Sequence, residues 1–303
     1  MAQASTEDQL GWEARQRPRA AAAALAAALL TLVAAIGSAV VVNGAPLPGL
    51  LDSLSRAARP GPVGELPSLR IAQYEFIQER ATALLGLGIL QFLGYLGVAW
   101  ALTFLAIATR ARRPELPRAA IYIALAGGVL YALSVLFLAV GNSLSVSDAL
   151  DGPRTVDATQ ESGASTVSLT GQILGIPGPL GLGLGFILVA LNAMRCGLLT
   201  RFMGVLGIIC GALVVLPIGS PLPVVQCFWL GALAVLLAGR WPSGNPPAWS
   251  TGRAEPWPSQ SRRRPAPDAP AVADAPEQEP AAVAAGREHP ASKKRKKRKK
   301  RPT

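Results

Sequence analysis

Long apolar stretches without any charged side chain constrain this sequence more than any other feature. Uncharged apolar segments of roughly 18 residues match the hydrocarbon core of a bilayer, which is about 30 Å thick. The core of a soluble domain does not need such segments. We therefore predict an all-α fold, a polytopic transmembrane helix bundle of about six spans, at residues 20–42, 81–109, 119–141, 172–194, 202–218 and 222–239.

The charges are segregated from these segments along the chain. Half of the residues are hydrophobic, yet the net charge is +11. Polar residues concentrate in an N-terminal segment, 1–19, in two long loops, 43–80 and 142–171, and in a Pro/Ala-rich tail, 240–303. The tail has too few large apolar residues to offset the entropy of ordering, so we predict that it is disordered. Within the first loop, the spacing of Leu50, Leu51 and Leu54 predicts a short amphipathic helix.

The first apolar run has two interpretations. Small residues near Asn43 are compatible with the cleavage site of a signal peptide. However, the run 20–42 is longer than the roughly 7 to 15 residues of a signal h-region, and three acidic residues precede it. We therefore favour an uncleaved membrane anchor.

The distribution of Lys and Arg predicts the orientation. The N-terminal segment has three, the connection between the second and third spans has four, the turn between the fourth and fifth has two, and the tail has fifteen. On the other face, the loops 43–80 and 142–171 have four and one. By the positive-inside rule, this predicts a multi-pass protein of the inner (cell) membrane, with the N- and C-termini in the cytoplasm.

Signatures of enzymes are absent from the sequence. The predicted spans contain no Asp, Glu, Lys, Arg or His, and the only histidine is His289 in the tail. There is also no P-loop, HExxH or GxSxG motif. We predict a protein that is not an enzyme, with no cofactor, no metal site and no catalytic residues.

Three residues in the spans are candidates for a helix break or a cavity: Gln91, Pro177 and Pro179. Gln91 is interpreted first as an interhelical hydrogen-bonding residue and second as a substrate contact. Pro177 and Pro179 either begin a helix, where proline is tolerated, or interrupt one and expose backbone groups for binding. Glycines four residues apart, such as Gly181 and Gly185, predict close helix packing, either within the bundle or in a homo-oligomer.

One stretch carries a family resemblance. Residues 191–208, "LNAMRCGLLTRFMGVLGI", form an apolar helix that ends in Ala-Met-Arg, turns through Gly-Leu-Leu and restarts after an Arg. This pattern resembles a stretch of uncharacterised bacterial multi-pass integral membrane proteins. The resemblance implies a bacterial membrane protein and no particular activity. Arg195 and Arg201 are expected to reach the headgroups and fix the depth of the hairpin.

The chain ends in a polybasic run that predicts binding to polyanions. Nine adjacent cations near an anionic leaflet are attracted to lipid headgroups, and the same charges suit nucleic acid or acidic proteins without sequence specificity. The run lacks aromatic and amide side chains that would read bases. Its members are Lys293, Lys294, Arg295, Lys296, Lys297, Arg298, Lys299, Lys300 and Arg301.

Two functional hypotheses follow. The first is a non-enzymatic membrane scaffold or accessory protein whose cytoplasmic tail binds polyanions. The alternative is a transporter for a small neutral solute or lipid, with a cavity lined by Gln91, Ser134, Asn192 and the Pro177/Pro179 break. The absence of charges within the spans favours the first hypothesis, since coupled transporters usually place ionisable groups at membrane depth.

Overall fold

The computed structural model describes residues 6–46, 48–58, 62–163, 165–216, 223–242 and 244–255. In these ranges the regular elements are helices, with one isolated β-bridge between Pro67 and Thr155, so the predicted all-helical class is confirmed. One 3₁₀ turn occupies Val63–Glu65. The α-helices are α1 (Thr6–Val42), α2 (Leu50–Ala57), α3 (Ile71–Gln78), α4 (Ala81–Arg112), α5 (Arg118–Asp151), α6 (Val156–Gly163), α7 (Thr166–Leu174), α8 (Pro177–Arg195), α9 (Arg201–Val215), α10 (Val224–Leu237) and α11 (Ala248–Thr251).

Four helical segments are long and apolar enough to cross a membrane. They are α1, α4, α5 and the combined segment Thr166–Arg195, which is α7 followed by α8. These segments contain the first four predicted spans. The other two predicted spans, 202–218 and 222–239, correspond to the short helices α9 and α10.

The prediction of six spans is therefore not confirmed. At 1.5 Å per residue, the 15 residues of α9 and the 14 residues of α10 extend about 22 Å and about 21 Å, which is less than the hydrocarbon thickness. Proline accounts for the shortening. α9 ends two residues before Pro217, and α10 begins directly after Pro223, since proline lacks an amide donor and disfavours helix at the residue before it.

Two other helices are longer than predicted. α1 begins at Thr6, so most of the predicted N-terminal segment 1–19 continues the first span as one helix. α5 continues to Asp151, and α6 and α7 follow it. The interpretation of 142–171 as a long loop is therefore wrong for most of its length. The polar composition of 142–171 did not predict helices, because a helix that extends beyond the membrane does not need a repeating apolar pattern.

Small residues bring neighbouring helices into close contact. α1, α4, α5, α8 and α9 are packed in chain order, and α10 packs between α1 and α9. A Cβ atom on Gly127 would lie 2.3 Å from the backbone of Gly181, and one on Gly185 would lie 2.8 Å from Ala124 Cα. Gly211 faces the Gly183 carbonyl in the same way. The glycine pairs seen in the sequence thus serve packing within one chain.

The core and the apolar surface occupy different parts of the bundle. Leu102, Phe186 and Trp229 are fully buried, and the Trp229 Nε1 donates to the Met203 carbonyl at 2.8 Å. On the outside, large apolar side chains stay exposed, including a stripe along α1 that extends from Leu25 to Val40. Soluble monomers rarely expose continuous apolar stripes, whereas lipid covers them in a membrane.

The two ends of the bundle differ in charge and structure. We call the end where α4 finishes and α5 begins the arginine end; it carries Arg110, Arg112, Arg113, Arg118, Arg195 and Arg201. At the opposite end, which we call the loop end, the 3₁₀ turn Val63–Glu65 contacts α6. The Ser68 amide donates to the Arg154 carbonyl at 2.8 Å, and Arg154 forms an ion pair with Glu75 of α3 at 3.0 Å.

Candidate functional site

Of the residues predicted from sequence to form sites, the polybasic run 293–301 lies outside the described residues. The other three, Gln91, Pro177 and Pro179, are described, and they do not meet. Gln91 lies on α4 and lines a cavity of about 290 Å³ between α1, α3, α4 and α5. Pro177 and Pro179 belong to the first turn of α8 and do not line that cavity.

The proline pair lies at a break between two helices. α7 ends at Leu174, and α8 begins with Pro177 at its first position, as expected for a proline-initiated helix. Because α7 precedes it, the break is internal to the apolar segment Thr166–Arg195. The Ser134 hydroxyl donates to the Gly171 carbonyl at 2.8 Å and so satisfies backbone near the break.

Close packing also fills the space that a ligand at this break would need. A Cβ on Gly178 would lie 2.7 Å from the Tyr131 amide of α5. Asn192, which was predicted to line the same neutral cavity, instead donates to the Leu188 carbonyl of its own helix at 2.8 Å. Ser134 thus lies near the break, whereas Gln91 lines a different cavity and Asn192 bonds within its own helix, so the four elements do not form one cavity.

A buried ion pair at the arginine end is the strongest polar feature that the sequence analysis missed. The guanidinium of Arg112, at the end of α4, contacts both carboxylate oxygens of Glu13, on α1, at 2.5 and 2.7 Å. The two side chains are 0% and 3% exposed. Arg112 also donates through Nε to the Ala248 carbonyl at 2.9 Å and through Nη1 to the Ala108 carbonyl at 2.9 Å. Both buried charges are thus paired and hydrogen-bonded, as burial requires.

The Ala248 carbonyl belongs to a segment that we call the strap, residues 240–255. The strap follows α10 through a Schellman turn, in which Gly239 adopts a positive φ of 75° and the Arg240 amide donates to the Val235 carbonyl at 3.1 Å. The strap contains α11 and returns across the arginine end. Its last described residue, Glu255, donates its amide to the Cys196 carbonyl at 3.2 Å.

Trp249 anchors the strap. Its ring lies parallel to that of Phe104, with centroids 6.1 Å apart, and its Nε1 donates to the Leu198 carbonyl at 3.2 Å. The guanidinium groups of Arg17 and Arg112 lie 4.7 and 5.3 Å from the centre of the Trp249 ring. Such cation–π contacts add to the apolar contacts of a tryptophan.

The strap corrects part of the predicted disorder of residues 240–303. Over the described residues 240–242 and 244–255 the chain is packed, and Ala248 and Trp249 are buried. The prediction averaged the composition over the whole tail, but Trp249 buries a large apolar side chain and three hydrogen bonds join the segment to the bundle. The isolated tryptophans in the Pro/Ala-rich sequence were the available signal. The remainder of the tail, 256–303, lies outside the described residues.

The strap also covers a cysteine. Cys196 ends α8 and is buried beside the Glu255 contact. Burial raises the pKa of the Cys196 thiol, which keeps it protonated and a poor nucleophile at neutral pH. The Cys196 thiol is therefore not an activated nucleophile, and the contacts of the strap hold segments together at the arginine end.

Comparisons with known proteins add no relative. No family model matches the chain, and no curated protein and no solved structure is significantly similar to it. The fold and the sites are thus interpreted from the chemistry of this chain's own residues.

Proposed function

We propose that this protein is a non-enzymatic membrane anchor that presents a polyanion-binding tail at the arginine end of its helix bundle. The strap carries this proposal, because it follows α10 and contacts α1, α4 and the α8–α9 turn before the tail continues. A chain whose only role was to cross the membrane would need no buried ion pair at this place.

We further propose that the arginine end faces the cytoplasm of a bacterial cell. If each of the four long segments crosses the bilayer once, the chain returns to its starting side. The α9–α10 hairpin then leaves the arginine end at the start of α9 and comes back to it at the end of α10. Both termini are then on the same side, whether the α9–α10 hairpin crosses the bilayer fully or re-enters it. The positive-inside rule makes that side the cytoplasm, because the fifteen basic residues from Arg240 onward follow α10.

The length of the tail allows its polybasic run to reach the membrane surface. Residues 256–292 separate the end of the strap from Lys293. The composition of these residues predicts disorder, and a disordered linker of this length would have a root-mean-square span of about 35 Å. Each basic residue close to an anionic leaflet contributes about 1 kcal/mol, and salt screens this attraction within a Debye length. We propose anionic lipid headgroups as the first target of the run.

Protection of the tail from trypsin tests this target. The full chain is placed in nanodiscs with about one third anionic lipid or with neutral lipid only, and cleavage within 293–301 is followed by mass spectrometry. We expect at least tenfold slower cleavage on the anionic discs, and loss of this protection at high salt. Equal cleavage on both kinds of disc would contradict the proposal.

A charge variant supplies the control. Replacing the nine residues of the run by Gln also removes its trypsin sites, so this variant and the wild type are compared by cleavage at Arg287, and the difference between the discs is expected to disappear in the variant. Replacing Arg262, Arg263 and Arg264 by Gln, elsewhere in the tail, is expected to leave most of it. Protection by added RNA on neutral discs, without protection by anionic lipid, would identify nucleic acid as the target instead.

A further inference from the structure

The cavity that contains Gln91 lies on the loop-end side of the buried core, between α1, α3, α4 and α5. On α4, Gln91 is one turn from Tyr95, and on α5, Val135 is one turn from Tyr131. The rings of Tyr95 and Tyr131 are 4.4 Å apart at their centroids, and Tyr95 is 4% exposed. This pair of rings lies between the buried core and the cavity.

The short α9–α10 hairpin explains why a cavity exists there. Thr31 of α1 contacts Cys227 in the first turn of α10, with 3.3 Å between Oγ1 and Sγ. α1 continues for eleven more residues to Val42, a rise of about 16 Å. Trp229 and Leu230 of α10 are buried in the core, and no described residue of α10 lines the cavity.

The lining specifies the chemistry of a ligand. The described lining residues include no charged side chain, so a charged molecule would lose its hydration without compensation. Apolar side chains such as Leu84, Leu85 and Val135 form most of the wall. The hydrogen-bonding side chains are Gln91 at the inner end and Ser38, Gln78, Asn142 and Ser143 further out.

Gln91 has hydrogen-bonding capacity for a ligand. Its amide has two donors and an acceptor oxygen, and Tyr95 lies one turn away on the same helix. Gln78, near the loop end, is instead engaged with the Ser147 hydroxyl at 3.3 Å. At about 30 Å³ for a group the size of a water molecule, the cavity of about 290 Å³ holds about ten non-hydrogen atoms.

We infer that this cavity is a binding site for an uncharged amphiphile, in which an apolar chain of about eight carbons lies along α4 and a hydroxyl or carbonyl group bonds Gln91. A free medium-chain alcohol and one ester-linked chain of a membrane lipid share this chemistry. The site is at the opposite end of the bundle from the strap, so it is independent of the proposed tail function.

Photolabelling of the full chain tests the site. The probe is an eight-carbon alcohol with a diazirine on its chain, and the matched charged probe is the corresponding carboxylate at pH 8. We expect the alcohol to label peptides of α4 and α5 around Gln91 and Val135, at least tenfold more than the carboxylate does. Equal labelling by both probes, or labelling confined to the exposed stripe of α1, would overturn the inference.

Variants separate binding from folding. Ser38→Leu fills the cavity and is expected to abolish labelling there. Gln91→Leu removes one hydrogen bond and is expected to weaken binding of the alcohol about tenfold. Gln226→Leu is the matched control, since the buried Gln226 Nε2 has no hydrogen-bond partner and its residue does not line the cavity. Size-exclusion profiles and melting temperatures establish that each variant is folded, and wild-type labelling in a folded Ser38→Leu or Gln91→Leu variant would overturn the inference.

Labelling is compared in two preparations of the protein to determine whether the amphiphile is a free small molecule or a lipid chain. Labelling that is equal in phospholipid nanodiscs and in phospholipid-free detergent supports a free small molecule. Labelling that appears only in detergent, together with a phospholipid retained by the nanodisc protein in native mass spectrometry, supports a lipid chain. No labelling of the cavity in either preparation would overturn the inference.

Discussion

Two buried charges, Glu13 and Arg112, determine how the arginine end is assembled. Each would be costly to bury alone, and their attraction is effective only because the geometry is bidentate and the remaining guanidinium donors reach carbonyls. Gln9 adds a hydrogen bond to Glu13 at 2.8 Å. The pair thereby joins the start of α1, the end of α4 and the strap.

Removing one partner of this pair is expected to cost more than removing both. Glu13→Gln or Arg112→Gln should destabilise the protein by about 3 kcal/mol, because the other charge stays buried without a counterion. The double variant should cost less than either single variant, and a double-mutant cycle in mixed-micelle unfolding measures the coupling energy. Arg154→Gln breaks the half-exposed ion pair with Glu75 and should cost less than about 1 kcal/mol. Additive effects of Glu13 and Arg112 would contradict a direct coupling.

At the scale of helices, backbone contact between α5 and α8 holds the middle of the bundle together. Gly127 and Gly181 meet backbone to backbone, and Gly128 meets Ala99 of α4 nearby. In a membrane, such close packing is a main source of helix association, because apolar side chains are already surrounded by lipid and gain little hydrophobic free energy when helices associate.

Gly127→Ala is therefore expected to destabilise the bundle by about 1 to 3 kcal/mol, since the added methyl group overlaps the backbone of α8. Gly86→Ala on α4 is the matched control, because a Cβ there meets nothing within 4 Å. It should be neutral or stabilising by up to about 1 kcal/mol. Thermal unfolding in detergent compares the two, and equal melting temperatures would contradict the close packing of α5 and α8.

The sequence was informative about elements and much less so about contacts between them. Apolar runs predict four long segments because the length of a span is a local property. The same apolar runs overestimate the lengths of α9 and α10, because the predicted spans included prolines that lie between Leu216 and Val224. The Glu13–Arg112 pair was not predictable in this way, because its partners are 99 residues apart and both look like ordinary charges flanking a span. Gln91 was recognised as a candidate, but its cavity depends on where other helices stop.

At the scale of the whole molecule, we propose that the segments before α1 and after α10 lie on one side of the membrane. The proposal rests on four segments that are long and apolar enough to cross a membrane and on a hairpin that starts and finishes at the arginine end, and it does not depend on the depth of the hairpin. The buried ion pair links these two segments, because Glu13 lies in the first part of α1 and Arg112 also donates to the Ala248 carbonyl of the strap that follows α10.

Protease access to the tail tests this orientation. Trypsin added to inverted inner-membrane vesicles at high salt is expected to remove the tail, whereas trypsin added to intact spheroplasts is expected to leave it whole. A cytoplasmic soluble protein retained inside the spheroplasts controls for lysis. Cleavage of the tail in intact spheroplasts would contradict a cytoplasmic C-terminus.

The most direct test of the account is hydrogen exchange in the strap, measured by mass spectrometry on the full chain in nanodiscs. If the bundle holds the start of the tail, the hydrogen-bonded amides of Trp249, Ser250, Thr251 and Glu255 exchange at least tenfold more slowly than unstructured amides. Arg112→Gln should remove most of this protection in α11 and leave that of α4 near Gly94 unchanged. Exchange of these amides at the unstructured rate in the wild-type protein would contradict the claim that the tail is presented from a fixed strap.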